Sequence, residues 1–298
     1  MKIGLIDVDG HNFPNLALMK LSSWHKAQGD SVEWYEPMFS GHMDRVYMSK
    51  VFTFTPDYEY CIDADTVVKG GTGYKMYGNV LPDNVENTFP DYSIYPQYDY
   101  AIGFLTRGCI RKCPWCIVPR KEGQIHAVNT WQNIKRPDSK KILFMDNNVL
   151  ACEHGRLQMK EMAGRTDIRI DFNQGLDHRL VDDEMAETLA AIPWIRFLRL
   201  ACDTEHDVPA VIQTVKLLGG KGLKPHRIFV YALIKDVDEA HARILALNSF
   251  GVEVFAQPYR DFDSDYVDPM AKKLARWVNN KYIFRSCAWE NYLKGVIK

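Results

Sequence analysis

The chain has 298 residues, enough for one large or two modest domains, and its 37 Lys+Arg against 38 Asp+Glu give a net charge of −1. That balance excludes the overall basic field of a dedicated nucleic-acid binder and leaves only a local patch. The opening MKIGLIDVDGHNF has no basic n-region, long apolar core or small-residue cleavage site, and no apolar run approaches a bilayer span. The expectation is therefore a cytoplasmic protein with no membrane partner, whose seven cysteines are free thiols or metal ligands rather than disulfides.

In chain order, KIGLIDV reads as a strand, and NLALMKLSSWHKAQG as a helix with Leu16, Met19 and Leu21 on one face and Gly29 at its stop. SVEWY and DRVYMSKVFTF are further strands, and VVKGGTGY ends an apolar run in a Gly-Gly turn. This alternation predicts a small open Rossmann-like α/β domain over 1–73. Residues 74–98, rich in Tyr and Pro with little periodicity, read as a connector packed on both neighbours.

From YAIGFLT the alternation restarts. KKILFMD, DIRIDFN, WIRFLRLACD, HRIFVYALI and VEVFAQPY are strands, separated by helical patterns such as DDEMAETLAAI, VPAVIQTVKLLG and DVDEAHARILALNSFG. Six βα steps over 99–265 predict a parallel α/β fold, a full or partial (β/α)6 barrel. DPMAKKLARWVNNKYIF then reads as a closing helix within a helical extension over 266–298, anchored by Leu274 and Trp277.

Three cysteines stand within GFLTRGCIRKCPWCIVPRKEG, spaced C-x3-C-x2-C at Cys109, Cys113 and Cys116, directly after the first strand of this second series. In β/α barrels that position is the active-site mouth. A structural zinc site normally closes with four ligands, and the fourth here would be His126, Cys152, Cys202 or Cys287. An iron–sulfur cluster on three thiolates leaves one iron open for a substrate or cofactor. Unligated buried thiols usually scatter through a core instead of crowding one loop.

C-x3-C-x2-C with an aromatic residue before the last cysteine, after the first strand of a βα repeat, resembles the radical S-adenosylmethionine superfamily over roughly 96–265. The resemblance implies a 4Fe–4S cluster on Cys109, Cys113 and Cys116, with S-adenosylmethionine chelating the remaining iron and cleaved to a 5′-deoxyadenosyl radical by an electron from a flavodoxin- or ferredoxin-like donor. Trp115 would then lie near the adenine. Asp146 and Asn147, just past the second strand, would take the amino group of the cofactor, and Asp203 the ribose hydroxyls. Gln174 stands at the third strand end, and Arg199, inside the fourth strand, needs a partner or a ligand because a buried lone charge is costly. Arg179 offers a carboxylate clamp or a surface ion pair, and Gln257, Tyr259, Arg260 and Asp261 end the sixth strand.

The preceding α/β domain resembles the cobalamin-binding branch through Asp9-x-His11, Ser49 with Thr53, and Gly70-Gly71. Pro14 stands where that branch has a glycine three residues after its histidine, so cobalamin is the less favoured extension. TRGCIRKCPWCIVPRKEG is also similar to the tRNA methylthiotransferases. That family has three further N-terminal cysteines, against Cys61 alone here, which disfavours sulfur insertion. The resemblance leaves the substrate open: Arg107, Arg111, Lys112, Arg120 and Lys121 could meet a nucleotide or RNA, or could simply surround an anionic cluster. A cobalamin-dependent methyltransferase, an RNA-modifying enzyme and a non-catalytic zinc-stabilised module are the competing readings.

Overall fold

A computed structural model describes residues 1–264 and 266–295. The far ends of the expected barrel and extension, Asp265 and residues 296–298, lie outside the described residues. The chain divides into two compact units, Met1–Ile102 and Gly103–Lys298. Both are α/β with parallel strands, the class expected from the alternating pattern.

In the first unit β1 (Lys2–Asp7), β2 (Ser31–Trp34), β3 (Met43–Ser49) and β4 (Ala64–Gly70) form a parallel sheet in the order β2-β1-β3-β4. The helix α1 (Leu16–Ala27) joins β1 to β2; Asn15 caps it by accepting from Leu18 N at 3.3 Å, and Leu18 and Met19 are buried beneath it. Ile3 and Leu5 pack with Leu18 and Leu21 on the helix side of the sheet, while Ile6, Met43, Val46 and Met48 fill a second cluster. The Gly-Gly turn has a specific cause. Gly71 has φ +103°, and a Cβ there would collide with the Lys50 carbonyl, whereas Gly70 has open space. Residues 74–98, expected as a connector, fall within this unit. They contain α2 (Asp83–Glu86), buried Val85, and buried Tyr95, whose hydroxyl donates to Asp7 at 2.6 Å.

In the second unit Gly103 ends β5 (Tyr100–Gly103). A two-residue ribbon follows, β6 (Thr106–Arg107) antiparallel to β7 (His126–Ala127), with α3 (Val118–Lys121) in the loop between them and α4 (Trp131–Ile134) after it. β8 (Lys141–Phe144), α5 (Glu153–Met162), β9 (Arg169–Phe172), α6 (Asp183–Ala191), β10 (Leu198–Ala201), α7 (Val208–Gly220), β11 (Ile228–Ile234), α8 (Val237–Ser249) and β12 (Glu253–Pro258) continue the alternation. Two three-stranded sheets result, β5-β8-β9 and β10-β11-β12, and the parallel bridge Leu176↔Leu200 links the end of β9 to β10.

Alternation along the strands separates two faces. Ile228, Val230, Ala232 and Ile234 of β11 are buried, as are Val254 and Ala256 of β12, while Phe229, Tyr231 and Phe255 between them are partly exposed. The closing segment is not the single helix that the sequence suggests. α9 (Pro269–Asn279) ends at Asn280, whose backbone is extended (ψ 97°) and whose side chain accepts from Ile283 N at 3.2 Å, starting α10 (Lys281–Ser286). α11 (Trp289–Leu293) then follows. An asparagine that caps a new helix also terminates the old one. Among the described residues no helix is long and apolar enough to cross a membrane.

Candidate functional site

The cysteine loop is pinned at its neck. Thr106 and Arg107 pair with Ala127 and His126, Val128 N donates to Leu105 O at 2.8 Å, and Cys109 N donates to Gly123 O at 3.2 Å. Gly108 passes the neck with φ +85°, and a Cβ would strike the Gln124 carbonyl, so only glycine lets the two limbs close. Inside the loop Cys116 N donates to Cys113 O at 3.0 Å, forming a tight turn around Pro114 and Trp115.

Side chains then tie this loop to successive strand ends. Past β8, Asn147 Oδ1 accepts from Gly108 N at 3.1 Å, and Asn148 Nδ2 donates to Cys109 Sγ at 3.4 Å. Past β9, Asp177 accepts from Arg111 Nε at 2.9 Å, Arg179 Nε at 2.6 Å and Asn148 Nδ2 at 3.3 Å. Past β10, Asp203 lies near enough to the Trp115 indole for it to oppose the burial that raises the Asp203 carboxyl. Past β11, Lys235 Nζ stands 3.6 Å from the centre of the Trp115 ring. A cation over an indole face is worth about 0.5–2 kcal/mol, so Lys235 helps hold Trp115 in place.

Burial dominates the electrostatics of the thiols. Cys109, Cys113 and Cys116 are half-buried, and burial raises Cys113 and Cys116 above the ordinary thiol value; the nearby Arg179 charge pulls Cys113 back. Arg111 N also donates to Cys109 Sγ at 3.3 Å. Two N–H donors on one sulfur hold its position and tune whatever it ligates. Asn148 Oδ1 is buried without a hydrogen-bond partner. Among the described residues no group of three or more His, Cys, Asp or Glu side chains stands ready to hold a metal ion. A single zinc draws its ligand atoms to about 2.0–2.3 Å, whereas a polynuclear cluster spreads its thiolates over separate irons. Three thiols on one loop could serve either, giving up their protons on assembly.

The fourth-ligand candidates lie in other roles. Cys202 is fully buried, its thiol pushed up to about 12 by desolvation, and Cys287 is buried as well. His126 is exposed on β7, its Nδ1 3.0 Å from Gln124 O.

The other sequence-selected residues divide. Asp146 is buried, and its two oxygens accept from Leu105 N (3.1 Å), Thr106 N (2.6 Å) and Thr106 Oγ1 (2.7 Å), which binds β8 to the start of the cysteine loop. Burial pushes its carboxyl up to about 6 against these hydrogen bonds. Arg199 has protein partners: Asp171 Oδ2 at 2.6 Å, Asn173 Oδ1 at 2.9 Å and Tyr231 OH at 3.1 Å, with Nε buried and unpartnered. Gln174 is exposed, and Arg179 is exposed and paired with Asp177. Asp203 is raised by burial and held down by Arg243 and Trp115. In the basic run Arg111, Arg120 and Lys121 pair with Asp177, Asp263 and Glu122, and Arg107 also reaches Glu122, so three carboxylates offset part of its positive charge.

Asp177, Lys235 and Arg243 escaped the sequence reading. Arg243, on α8 and almost wholly buried, donates to the carbonyls of Cys202 and Leu233 (2.7 Å for the latter) and pairs with Glu239 at 2.7 Å. It thereby locks the ends of β10 and β11. Its one sequence signal is the i,i+4 pairing with Glu239. No family model matches this chain, and no curated protein matches it.

In the first unit Asp9 accepts from Val51 N, Phe52 N (3.3 Å) and Thr55 Oγ1 (2.6 Å), holding the loop after β3, and Ser49 Oγ accepts from Asn15 Nδ2 at 2.8 Å. The His11 ring lies on Trp34, centroids 4.2 Å apart, and its desolvation lowers the imidazole pKa.

Proposed function

We propose that the chain is a radical S-adenosylmethionine enzyme, with Cys109, Cys113 and Cys116 holding a 4Fe–4S cluster and the strand ends of the second unit seating S-adenosylmethionine. The supporting observation is that one loop carries all three thiols and is tied to the ends of β8, β9 and β11 by Asn148, Asp177 and Lys235. When bound, the reduced cluster supplies the electron that cleaves S-adenosylmethionine to methionine and a 5′-deoxyadenosyl radical.

The chain's own residues then bind and orient. Asn148 and the Arg111 N–H hold the Cys109 sulfur, and Arg179 favours the ionised Cys113. Trp115, held by Lys235, offers an aromatic face for the adenine. Asn147 and Gln174 stand at the mouth as amide contacts. Asp146 sets the loop's starting geometry, and Arg199 contributes through the Asp171 pair. The reading takes the six strands as a partial (β/α)6 barrel, the first unit as a Rossmann-like domain, a cytoplasmic setting and a flavodoxin- or ferredoxin-like electron donor. The chain's net charge of −1 weighs against RNA as the substrate.

Metal and sulfide analysis of anaerobically reconstituted protein tests this reading. About four irons and four sulfides per chain with visible charge-transfer absorbance are expected, and Cys113→Ala should lose them. One zinc without iron or visible absorbance would instead establish the structural-metal alternative.

A further inference from the structure

The first unit carries a second cavity-forming site, independent of the cysteine loop. A cavity of about 360 Å³ opens at the carboxyl ends of β1 and β2, bounded by the 56–60 segment. The carboxyl edge of an open parallel sheet is where α/β folds place ligands, and the volume falls within the range of small-molecule sites.

Its lining has an unusual combination of chemistries. Trp34, Tyr35, Tyr58 and Tyr60 supply aromatic walls, with His11 stacked on Trp34. Asp7, Glu36 and Glu59 bring carboxylates, and among the described residues no Lys or Arg lines the cavity. The fourth carboxylate, Asp57, is already taken by Lys69 at 3.0 Å and Tyr74 OH at 2.5 Å. Asp7 sits at the floor, with Glu36 and Glu59 exposed at the rim. The Tyr58 hydroxyl is buried and has no hydrogen-bond partner. Burial lowers the imidazole pKa of His11.

Aromatic faces with carboxylates and no basic side chain attract a cation and repel a phosphate or carboxylate. We infer that this cavity is a binding site for a small organic cation, an amine or quaternary ammonium whose charged head lies among the aromatic rings and faces Asp7, with Glu36 and Glu59 closing the rim. The Tyr58 hydroxyl would accept from an ammonium N–H or donate to a hydroxyl elsewhere on the ligand. The same chemistry disfavours phosphate-bearing ligands at this edge.

A charge-matched series tests the inference on the full-length chain by isothermal titration calorimetry. Tyramine, its neutral analogue tyrosol and its anionic analogue 4-hydroxyphenylacetate share a ring and differ in charge; choline and its neutral isostere 3,3-dimethylbutanol form a second set. A cation from either set should bind about tenfold or more tighter than its neutral partner, since tenfold corresponds to about 1.4 kcal/mol, within the range of a desolvated cation–π contact plus a carboxylate. The anion should bind weakest. The Glu36→Gln/Glu59→Gln double variant changes only exposed rim residues and should retain the wild-type circular dichroism while losing much of that preference. Tyr58→Phe should weaken tyramine more than choline, which has no N–H. Equal affinity for neutral and cationic partners, tighter binding of the anion, or no binding of either cation up to about 10 mM would overturn the inference. None of these outcomes depends on iron, so failure here and failure of the cluster reading are separately visible.

Discussion

Both units place their chemistry at the carboxyl ends of parallel strands, yet they furnish those ends in opposite ways. The first offers carboxylates and aromatic rings around an open cavity, with Asp7 its innermost carboxylate. The second offers thiols, amides and arginines, knitted by side chains into a loop whose neck is closed. On the proposed reading, the same arrangement of strands serves a cation at one edge and an anionic cluster at the other. What differs is which residues follow the strands, and this is where function resides on an α/β scaffold.

The comparison is broken most forcefully by removing a thiol. Cys116→Ser should reduce iron and sulfide in reconstituted protein to background while leaving the calorimetric response of the first unit unchanged. Iron retained at the wild-type level would mean that the loop is not the metal site.

Next comes the staple beneath the second edge. Arg243→Met leaves Glu239 and two strand-end carbonyls without their donor, and breaking such a buried pair costs about 3–5 kcal/mol. Denaturant unfolding should show that loss, together with weaker iron retention because the Asp203 and Lys235 ends are no longer held. A loss under about 0.5 kcal/mol would be surface behaviour and would remove Arg243 from the account.

Gly108→Ala tests the neck. A positive φ and a collision with Gln124 together should cost about 1–3 kcal/mol, measured by the same unfolding experiment, and should expose the loop to proteolysis between the β6 and β7 limbs. Unchanged cleavage would show that the neck can open without consequence.

The smallest effect is a pH dependence at the first edge. Burial pushes Asp7 up to about 6 from 3.8. A folded-state pKa above the unfolded one means that the native state holds the extra proton. Its stabilising contribution is therefore complete below about pH 3.8 and is lost as pH rises through about 6. Asp7→Asn keeps an acceptor for Tyr95 and removes the charge, so it should gain about 1 kcal/mol over wild type above pH 7, discounted for partial solvent screening. The two should converge below pH 4. An Asn variant less stable than wild type at pH 8 would contradict the burial argument.

The strands were legible because β-branched and aromatic runs in KIGLID, KILF and IFVYALI alternate with helical patterns, and that periodicity survives folding. α5 was less so, since EHGRLQMKEM has few apolar positions and an internal glycine. The break at Asn280 was hidden within a continuous amphipathic tail. At the site the cysteines announced themselves by spacing, as did the polar residues after each strand. Which of those residues meet could not be read. Asp177 reaches Arg111, and Lys235 reaches Trp115, only because strand order brings distant ends together. Asp146 shows the converse. Its type suits an ammonium ligand, but the Leu105 and Thr106 donors that occupy its oxygens come from another strand end.

The most direct measurement is production of 5′-deoxyadenosine from S-adenosylmethionine by the anaerobically reconstituted, dithionite-reduced protein. The account predicts time-dependent 5′-deoxyadenosine in wild type and none above background in Cys113→Ala. Protein with a full complement of iron and sulfide that forms no 5′-deoxyadenosine, or a Cys113→Ala variant that forms as much as wild type, would contradict it.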